Sequence, residues 1–471
     1  MEIEEFRAQA HAMVDWMADY MNAVGDYPVR SQTRPGEIAA KLPLNPPAAP
    51  EGMAEIMADF ERDVLPGVTH WQHPRFFAYF PANASPPSVL AEMLTATLGA
   101  QCMLWQTSPA GTEMETRVTD WLRQMIGLPE GFHGVIQDSA SSAILCAILT
   151  ARERATDWRA NESGLAGGPP VIVYASDQTH SATEKGAKIA GLGRENVRQV
   201  ETDPETFAMR PEALEAAIRE DRAAGRLPAC VVASLGATGV GAMDDLAAIG
   251  RVAKANGLFA HVDAAWAGSA LILDEHRHLL AGVEHFDSFV FNPHKWLMTN
   301  FDCSAHFVRE PEDLIRTLSI LPPFLRSREG DAVIDYRDWS APLGRRFRAL
   351  KLWFVIRSYG VEGLRKIIRD HIDWAARLEA RIESAPDFEL ASPRQLSLLN
   401  FRFRPDGVAE DDLDALNERL LEAVNDDGFT YLTQNRVHGR FTIRIQIGQT
   451  RTTEADVTAA WDRVEAIARG L

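Results

Sequence analysis

Three residues able to do chemistry follow short apolar runs in the middle of the chain. Lys295 comes after the run in FDSFVFNPHKWLMTNFD, and lysines are rarely buried without a partner. Asp263 ends the run in LFAHVDAAWAG, where small residues leave room for a flat group. His180 follows the run in ASDQTHSATEKGA. A surface lysine, a capping aspartate and a structural histidine would explain each residue taken singly.

A phosphate site is predicted by VIQDSASSAIL, where a strand leads into a helix through Ser139, Ala140 and Ser141. Bare N–H groups and the helix dipole attract phosphate at a helix start, and serine hydroxyls add donors. Helix capping by Asp138 or Ser139 would account for the same residues. Together with the lysine, the aspartate and the histidine, these residues form the set that pyridoxal phosphate requires. The lysine would hold the aldehyde as a Schiff base, and the carboxylate would keep the ring nitrogen protonated.

The elements that must position these residues alternate between strand and helix from about residue 90 to residue 310. This alternation predicts an α/β fold with a mostly parallel sheet, whose ligands lie beyond the carboxyl ends of the strands. Two alternating runs near the end, QLSLLNFRFRP and RFTIRIQIG, predict half-buried strands of a small α+β domain. The predicted division is a helical N-terminal segment 1–85, a large cofactor-binding domain 86–350 and a small C-terminal domain 351–471.

The composition excludes several classes of function. A formal net charge of -18 would repel nucleic acid and anionic lipid, so neither partner is expected. The sequence has no apolar run of the ~18 residues that a membrane span needs. Its four cysteines are widely spaced, which predicts free thiols in a reducing, cytoplasmic compartment and neither a disulfide framework nor a metal site.

Several longer motifs carry a resemblance to a known family. They are LPGVTHWQHPRFFAYFP, TSPAGTEMET, SDQTHS, HVDAAWAG, FNPHKWLMTNFDCSA and PLGRRFRALKLWFVIRSYG, and the similarity extends over nearly the whole chain. On these motifs the chain resembles the aromatic-L-amino-acid decarboxylases, which are pyridoxal-phosphate enzymes related to histidine, tyrosine and glutamate decarboxylases. The resemblance implies fold type I, the architecture of aspartate aminotransferase. It also implies a homodimer with shared active sites and exchanged N-terminal helices.

The N-terminal stretch bears on this predicted dimer. Residues 5–22 have the apolar spacing of an amphipathic helix. The periodicity leaves open whether this helix packs on its own domain or on a second subunit. The resemblance favours the second subunit.

The same resemblance implies roles residue by residue. Lys295 would be the Schiff-base lysine, Asp263 the partner of the ring nitrogen and His180 the residue stacked on the ring. The residues expected at the phosphate and beside the ring are Ser139, Ala140, Ser141, Asn292, His294, Ser234 and Ala265. The residues expected beside the substrate side chain are Trp71, Tyr79, Phe80, Pro81, Gln101, Met103 and Gly344.

The chain departs from the family pattern at several positions. Asp138 stands beside the phosphate site where most relatives have glycine, and Trp266 replaces a usual tyrosine. Gln101 and Met103 stand where animal relatives carry apolar and aromatic residues, which predicts a different substrate preference. Gly344 leaves room for an indole, whereas plant relatives acting on phenolic substrates tend to carry serine. Tryptophan, phenylalanine, tyrosine and dihydroxyphenylalanine all stay open as substrates, and the apolar FFAYFP disfavours a glutamate-type substrate.

The departure with the largest consequence is Phe324 in SILPPFLRSREGD. The resemblance implies that this loop closes over the substrate and that a tyrosine at this position protonates the quinonoid carbon formed by decarboxylation. Phenylalanine keeps the ring but has no proton to give. The persistent carbanion would then react with dioxygen, as in the plant aromatic acetaldehyde synthases that this loop resembles. The products would be an aryl acetaldehyde, carbon dioxide, ammonia and hydrogen peroxide. The alternative is a plain decarboxylase that uses another proton donor and releases the arylalkylamine.

Two rival interpretations use the same residues. An aminotransferase would need a late arginine for the substrate carboxylate, for which Arg444 in FTIRIQIG is the candidate, although its alternating strand favours a structural role. A catalytically silent cofactor-binding protein is opposed by the intact Lys295, Asp263 and His180.

Overall fold

The computed structural model describes residues 1–320 and 332–471. The prediction made for Phe324 therefore lies outside the described residues. The chain packs as two compact units. The smaller unit consists of Met1–Pro81, Trp374–Ala391 and Asn400–Leu471, and the larger of Ala82–Asp373 and Ser392–Leu399. These units are defined by packing, and the division of the sequence at residues 85 and 350 stays a prediction.

A central sheet organises the larger unit. Its strands, among the described residues, are β1 His133–Gln137, β2 Val171–Ser176, β3 Val197–Val200, β4 Leu227–Ser234, β5 Phe259–Asp263, β6 Ser288–Phe291 and β7 Ser304–Val308. They lie in the order β1-β7-β6-β5-β4-β2-β3. The pairs from β3 to β6 are parallel, and β7 runs antiparallel to both β6 and β1. The predicted mostly parallel sheet is confirmed, and β7 is its one antiparallel strand among the described residues.

The register of three neighbouring strands places their carboxyl ends side by side. Ser234 of β4 lies opposite Asp263 of β5, and Asp263 lies opposite Val290 of β6. All the residues of β5 and β6 are buried, because both faces of a parallel sheet are covered by helices. Polar residues that follow these strands therefore lie at the edge of the sheet.

Helices precede, connect and follow the strands of this sheet along the chain. They are α4 Pro86–Leu98, α5 Pro109–Ile126, α6 Ala140–Ala155, α7 Ala160–Ser163, α8 Ala182–Ile189, α9 Pro211–Ala223, α10 Leu246–Ala255, α11 Pro293–Trp296 and α12 Pro311–Leu318. Helix α13, Arg348–Ser384, is interrupted at Gly360 and continues into the smaller unit. No helix in the described ranges combines the length and apolar character that a membrane crossing requires.

The smaller unit contains helices of its own and a second sheet, except for Leu398 and Leu399 of that sheet. Its helices are α1 Ile3–Ala23, α2 Glu37–Lys41, α3 Met53–Asp59, α14 Glu410–Asp427 and α15 Glu454–Ala468. The second sheet consists of β8 Phe388–Leu390, β9 Leu398–Phe403, β10 Thr433–Val437 and β11 Arg440–Gln446, in the order β10-β11-β9-β8. The predicted small α+β arrangement is confirmed.

The expectation that its two longest strands are half-buried is wrong. Every residue of β9 is buried, as is every residue of β11 after its first. The polar side chains that alternate along β9 are satisfied inside the protein, since fully buried Arg402 donates to Glu410 at 2.8 Å and to Asp414 at 3.0 Å. The alternation of apolar and polar residues in β9 therefore reflects a buried arginine with carboxylate partners, and not a face exposed to solvent.

Candidate active site

The lysine sits on a short helical turn that a separate segment holds in place. Lys295 lies in α11, directly after β6, and is half-buried. The side chain of Asn83 donates to the Lys295 carbonyl at 2.6 Å, and its backbone N–H donates to the carbonyl of His294 at 3.1 Å. The hydroxyl of Ser85 donates to the carbonyl of Met298 at 2.6 Å. Asn83 and Ser85 are fully buried and were missed by sequence reasoning, because polar residues between prolines look like an ordinary loop.

Asp263, His180 and Lys295 form one electrostatic group. Asp263 is buried at the end of β5, and one of its oxygens accepts the Ala265 N–H at 3.0 Å. Nδ1 of His180 accepts the Ala182 N–H at 3.1 Å, which fixes the orientation of the ring. His180 is exposed as a residue, but desolvation of its ring lowers its pKa. The negative charge of Asp263 raises this pKa, and the Lys295 cation lowers it further. The structure thus brings together the three residues that the sequence singled out.

The start of helix α6 lies beside the ends of β5 and β6. Ala140 in its first turn packs with Ala143, Val290 and Ala265 in one cluster. Ser139 is the N-cap residue, and its Oγ accepts the Ser142 N–H at 3.3 Å. The remaining N–H groups of the first turn point out of the helix as they do at every helix start. The structure confirms the capping by Ser139, and the phosphate site stays a prediction that a capped helix start allows.

Asn292 and His294 add hydrogen-bond donors directly after strand β6. Oδ1 of Asn292 accepts the hydroxyl of Ser304 at 2.6 Å, so its Nδ2 is the side that can donate elsewhere. Nδ1 of His294 accepts the Cys303 N–H at 2.9 Å, so the neutral ring carries its proton on Nε2. Burial, followed by the Lys295 cation, lowers the pKa of His294 to about 3, which keeps the ring neutral.

The remaining predicted cofactor residues, Ser234 and Ala265, lie at the same edge of the sheet, at the end of β4 and after β5. Ser234 is buried, and its N–H donates to Asp244 at 2.7 Å. Asp244 also accepts the Met209 N–H at 2.7 Å, and burial raises its pKa to about 6. Asp244 was missed because it precedes Asp245, the N-cap of α10, and the pair resembles a simple cap. Trp266, next to Ala265, stacks on Trp296 with 5.3 Å between ring centroids.

Four predicted substrate residues belong to the smaller unit and cluster there. Trp71 and Tyr79 stack with 5.7 Å between ring centroids, and both are partly exposed. Phe80 and Pro81 are buried, and the guanidinium carbon of Arg444 lies 4.5 Å from the centre of the Phe80 ring. Arg444 also donates to the carbonyl of Ala78 at 2.9 Å. This packing supports the structural role for Arg444 that the sequence favoured over binding of a substrate carboxylate.

The other three predicted substrate residues lie in the larger unit. Oε1 of exposed Gln101 accepts the Arg345 N–H at 2.5 Å, and its Nε2 lies 3.4 Å from the position a Cβ would take at Gly344. The carbonyl of half-buried Met103 accepts the Arg337 N–H at 3.0 Å. The structure therefore places Gln101 directly against Gly344.

The donor set fits a flat ring with an anionic tail. A carboxylate, a lysine and a histidine lie within one another's electrostatic reach, and small residues follow Asp263. The helix start, Asn292 and His294 offer donors to an anion on the same edge. The fold and the site together are those of a pyridoxal-phosphate enzyme.

Comparisons with known proteins agree with this class. Residues 35–404 match the family described as the pyridoxal-dependent decarboxylase conserved domain. The chain is 43% identical over 474 residues to a phenylacetaldehyde synthase of Arabidopsis thaliana, covering 99% of this chain and 96% of that protein. It is 43% identical over 474 residues to tyrosine decarboxylase 4 of Petroselinum crispum, covering 98% and 92%. The crystal structure of Catharanthus roseus tryptophan decarboxylase in complex with L-tryptophan matches with a TM-score of 0.94 at 39% identity, covering 100% of this chain and 99% of that one.

The chain belongs to the pyridoxal-dependent decarboxylase family. It is an enzyme that uses pyridoxal phosphate, and it has the fold type I architecture expected from the sequence.

Proposed function

We propose that this enzyme decarboxylates an aromatic L-amino acid and, because of Phe324, diverts the reaction to oxidative deamination. The substrate would lose carbon dioxide, and dioxygen would take up the electron pair and become hydrogen peroxide. Water would supply the aldehyde oxygen, and ammonia would leave. One amino acid, one dioxygen and one water thus give one aryl acetaldehyde and one molecule each of carbon dioxide, ammonia and hydrogen peroxide.

The chain's own residues divide this work. Bound pyridoxal phosphate supplies an electron-withdrawing ring for the electrons left when carbon dioxide departs. Asp263 would hold a proton on the ring nitrogen, His180 would stack on the ring, and Lys295 would hold the cofactor and release it to the substrate amine. Ser139, Ala140, Ser141, Asn292 and His294 would hold the phosphate, with Ser234 and Ala265 against the ring. Trp71, Tyr79, Phe80, Pro81, Gln101, Met103 and Gly344 would bind the aromatic side chain of the substrate.

Phe324 is the observation that carries the oxidative step. Phenylalanine cannot donate a proton to the α-carbon, and general-acid catalysis is typically worth about 10²–10⁴-fold. Without that donor, amine formation slows and dioxygen has time to react. The 43% identity to a phenylacetaldehyde synthase supports the same outcome.

The test is a product balance in air. Purified enzyme with pyridoxal phosphate is given each aromatic L-amino acid, and carbon dioxide, amine, aldehyde and peroxide are measured together. We expect aldehyde and peroxide in step with carbon dioxide. In Phe324→Tyr we expect amine to replace them, whereas Phe354→Tyr, a half-buried position on α13 outside the proposed site and interface, serves as the matched control. An unchanged product ratio in Phe324→Tyr would refute the role of Phe324.

A plain decarboxylase is the second candidate, favoured by the equal identity to a tyrosine decarboxylase. It predicts amine as the only organic product and no oxygen uptake by the unaltered enzyme. The product balance therefore separates the two candidates directly.

A homodimer with shared active sites and a cytoplasmic location are part of the proposal. Helix α1 has no buried residue, and its Ile3, Phe6 and Val14 are exposed. Helix α4 exposes a row of apolar side chains, namely Leu90, Met93, Leu94 and Leu98. Exposed apolar surface on this scale is typical of interfaces between proteins. Four buried, free cysteines suit a reducing compartment.

The dimer is tested by light scattering on variants. Leu94→Asp should produce monomers and lower activity, because a charge would be buried in the proposed interface. Ile189→Asp alters a more exposed apolar residue, on α8, and should leave the dimer intact. A dimer that survives Leu94→Asp unchanged would exclude α4 from the interface.

A further inference from the structure

An unpaired acidic side chain stands at the start of the phosphate site. Asp138 lies between β1 and the N-cap residue of α6, and it is half-buried. No ion pair to Asp138 occurs within the described residues. Arg348, whose charge acts on Asp138, is engaged with Asp302 at 2.9 Å. The negative charge of Asp138 is therefore not neutralised by a direct contact.

This charge faces the groups that would hold the phosphate. Oδ1 of Asp138 lies 3.5 Å from Oγ of Ser139, the N-cap residue. That separation is at the limit of a hydrogen bond, so the carboxylate acts on the site mainly through its charge. The positive potential at a helix start favours an anion, and a fixed carboxylate one residue before the cap reduces that potential. The negative charges of the phosphate and of Asp138 would repel each other at the helix start.

We propose that the Asp138 carboxylate weakens the hold of this site on the phosphate group of its cofactor, so that the enzyme exchanges its cofactor more readily than an uncharged residue at this position would allow. The inference rests on the proposed cofactor site. It does not depend on which product the enzyme releases.

The consequence is a measurable dependence of cofactor affinity on one charge. Two unit charges a few ångströms apart near a protein surface interact strongly enough that Asp138→Asn should tighten binding about tenfold or more at low salt. Salt screens such interactions over about 10 Å at 0.1 M, so the gain should shrink as ionic strength rises. Pyridoxal, which lacks the phosphate, should bind both proteins equally.

The experiment titrates cofactor-free enzyme with pyridoxal phosphate and, separately, with pyridoxal, following the quenching of tryptophan fluorescence. Asp138→Asn and Asp138→Gly are compared with the unaltered chain, and the rate of cofactor release is measured by dilution. Asp177→Asn is the matched control. It removes an exposed carboxylate directly after β2, which lies five strands from β1 in the order of the sheet.

Tighter binding and slower release of pyridoxal phosphate in both Asp138 variants, with pyridoxal and Asp177→Asn unchanged, would support the proposal. Equal dissociation constants for pyridoxal phosphate would overturn it, and so would an equal gain for pyridoxal. If Asp138→Asn fails to fold, Asp138→Gly decides the question. A failed aldehyde assay would refute the oxidative proposal and leave these binding constants unaffected, so the two failures are distinguishable.

Discussion

A buried ion pair fixes the segment that carries Gln101 and Gly344. Glu115 of α5 pairs with Arg345, and only 2% of each side chain is exposed. The Glu115 carboxylate also accepts the Ile136 N–H at 2.8 Å, and Arg345 donates to the Ile136 carbonyl at 3.1 Å. Because the backbone of Arg345 holds Gln101, loss of the pair should disturb both stability and substrate binding.

The size of the effect follows from burial. Glu115→Gln keeps an acceptor for the Ile136 N–H but leaves the Arg345 cation buried without a counter-charge, which typically costs about 3–5 kcal/mol. Glu115→Leu also orphans the Ile136 N–H and should lose about 1–3 kcal/mol more. Glu115→Gln combined with Arg345→Met removes both charges, so its loss should fall well short of the sum of the two single losses.

The assay is urea unfolding followed by circular dichroism, with kcat/KM measured on the folded variants. Asp370→Asn is the control, because Asp370 pairs with Lys366, whose side chain is 74% exposed, and surface pairs are worth about 0–1 kcal/mol. A loss in Glu115→Gln no larger than in the control, or strictly additive losses in the double variant, would refute the reasoning.

Three further predictions concern the site. Asn83→Ala should remove the 2.6 Å hydrogen bond to the Lys295 carbonyl, which should cost about 1–3 kcal/mol of stability and lower kcat. Unfolding and steady-state kinetics measure the two effects, and an unchanged stability together with an unchanged kcat would contradict the prediction. Burial lowers the pKa of His294 to about 3, so between pH values of about 6.5 and 3 the unfolded chain binds a proton at this residue that the folded protein does not. The cofactor-free protein should therefore lose stability as the pH falls through this range, by up to about 1.4 kcal/mol per pH unit from this group. His294→Gln should flatten that slope in acid titrations, and an unchanged slope would count against this assignment. Gly344→Ser, with its Cβ 3.4 Å from Nε2 of Gln101, should lower kcat/KM for tryptophan relative to tyrosine; an unchanged ratio would show that Gly344 does not set the preference.

Much of the chemistry was readable from residue type and order. Strand-forming runs that end in Asp263, Lys295 and Ser139 predicted both the parallel sheet and the edge where the site lies, because side chains after parallel strands meet at one edge. The family followed from motifs spread over the whole chain, and the comparisons confirmed it. The roles assigned to single residues stay predictions.

The sequence misjudged or missed residues whose importance lies in their partners. Alternation in β9 suggested a solvated face, yet Arg402 is buried among carboxylates. Asn83 and Asp244 looked like loop and cap residues, whereas each satisfies backbone groups distant in sequence. No local pattern reports hydrogen bonds such as those of Asn83 and Asp244, whose partners Lys295 and Met209 lie 212 and 35 residues away along the chain.

The role of Phe324 rests on the family resemblance and stays a prediction. By itself, the sequence determined the order of strands and helices and the lysine, aspartate and histidine at strand ends. These features depend on local propensity and on residue chemistry, which the chain carries at every position. Only the tertiary structure decided that Asn83 holds the lysine turn, that Gln101 lies against Gly344 and that Asp138 stands without an ion pair beside the helix start. Those facts depend on which distant groups folding brings within a few ångströms, where hydrogen bonds and charges act.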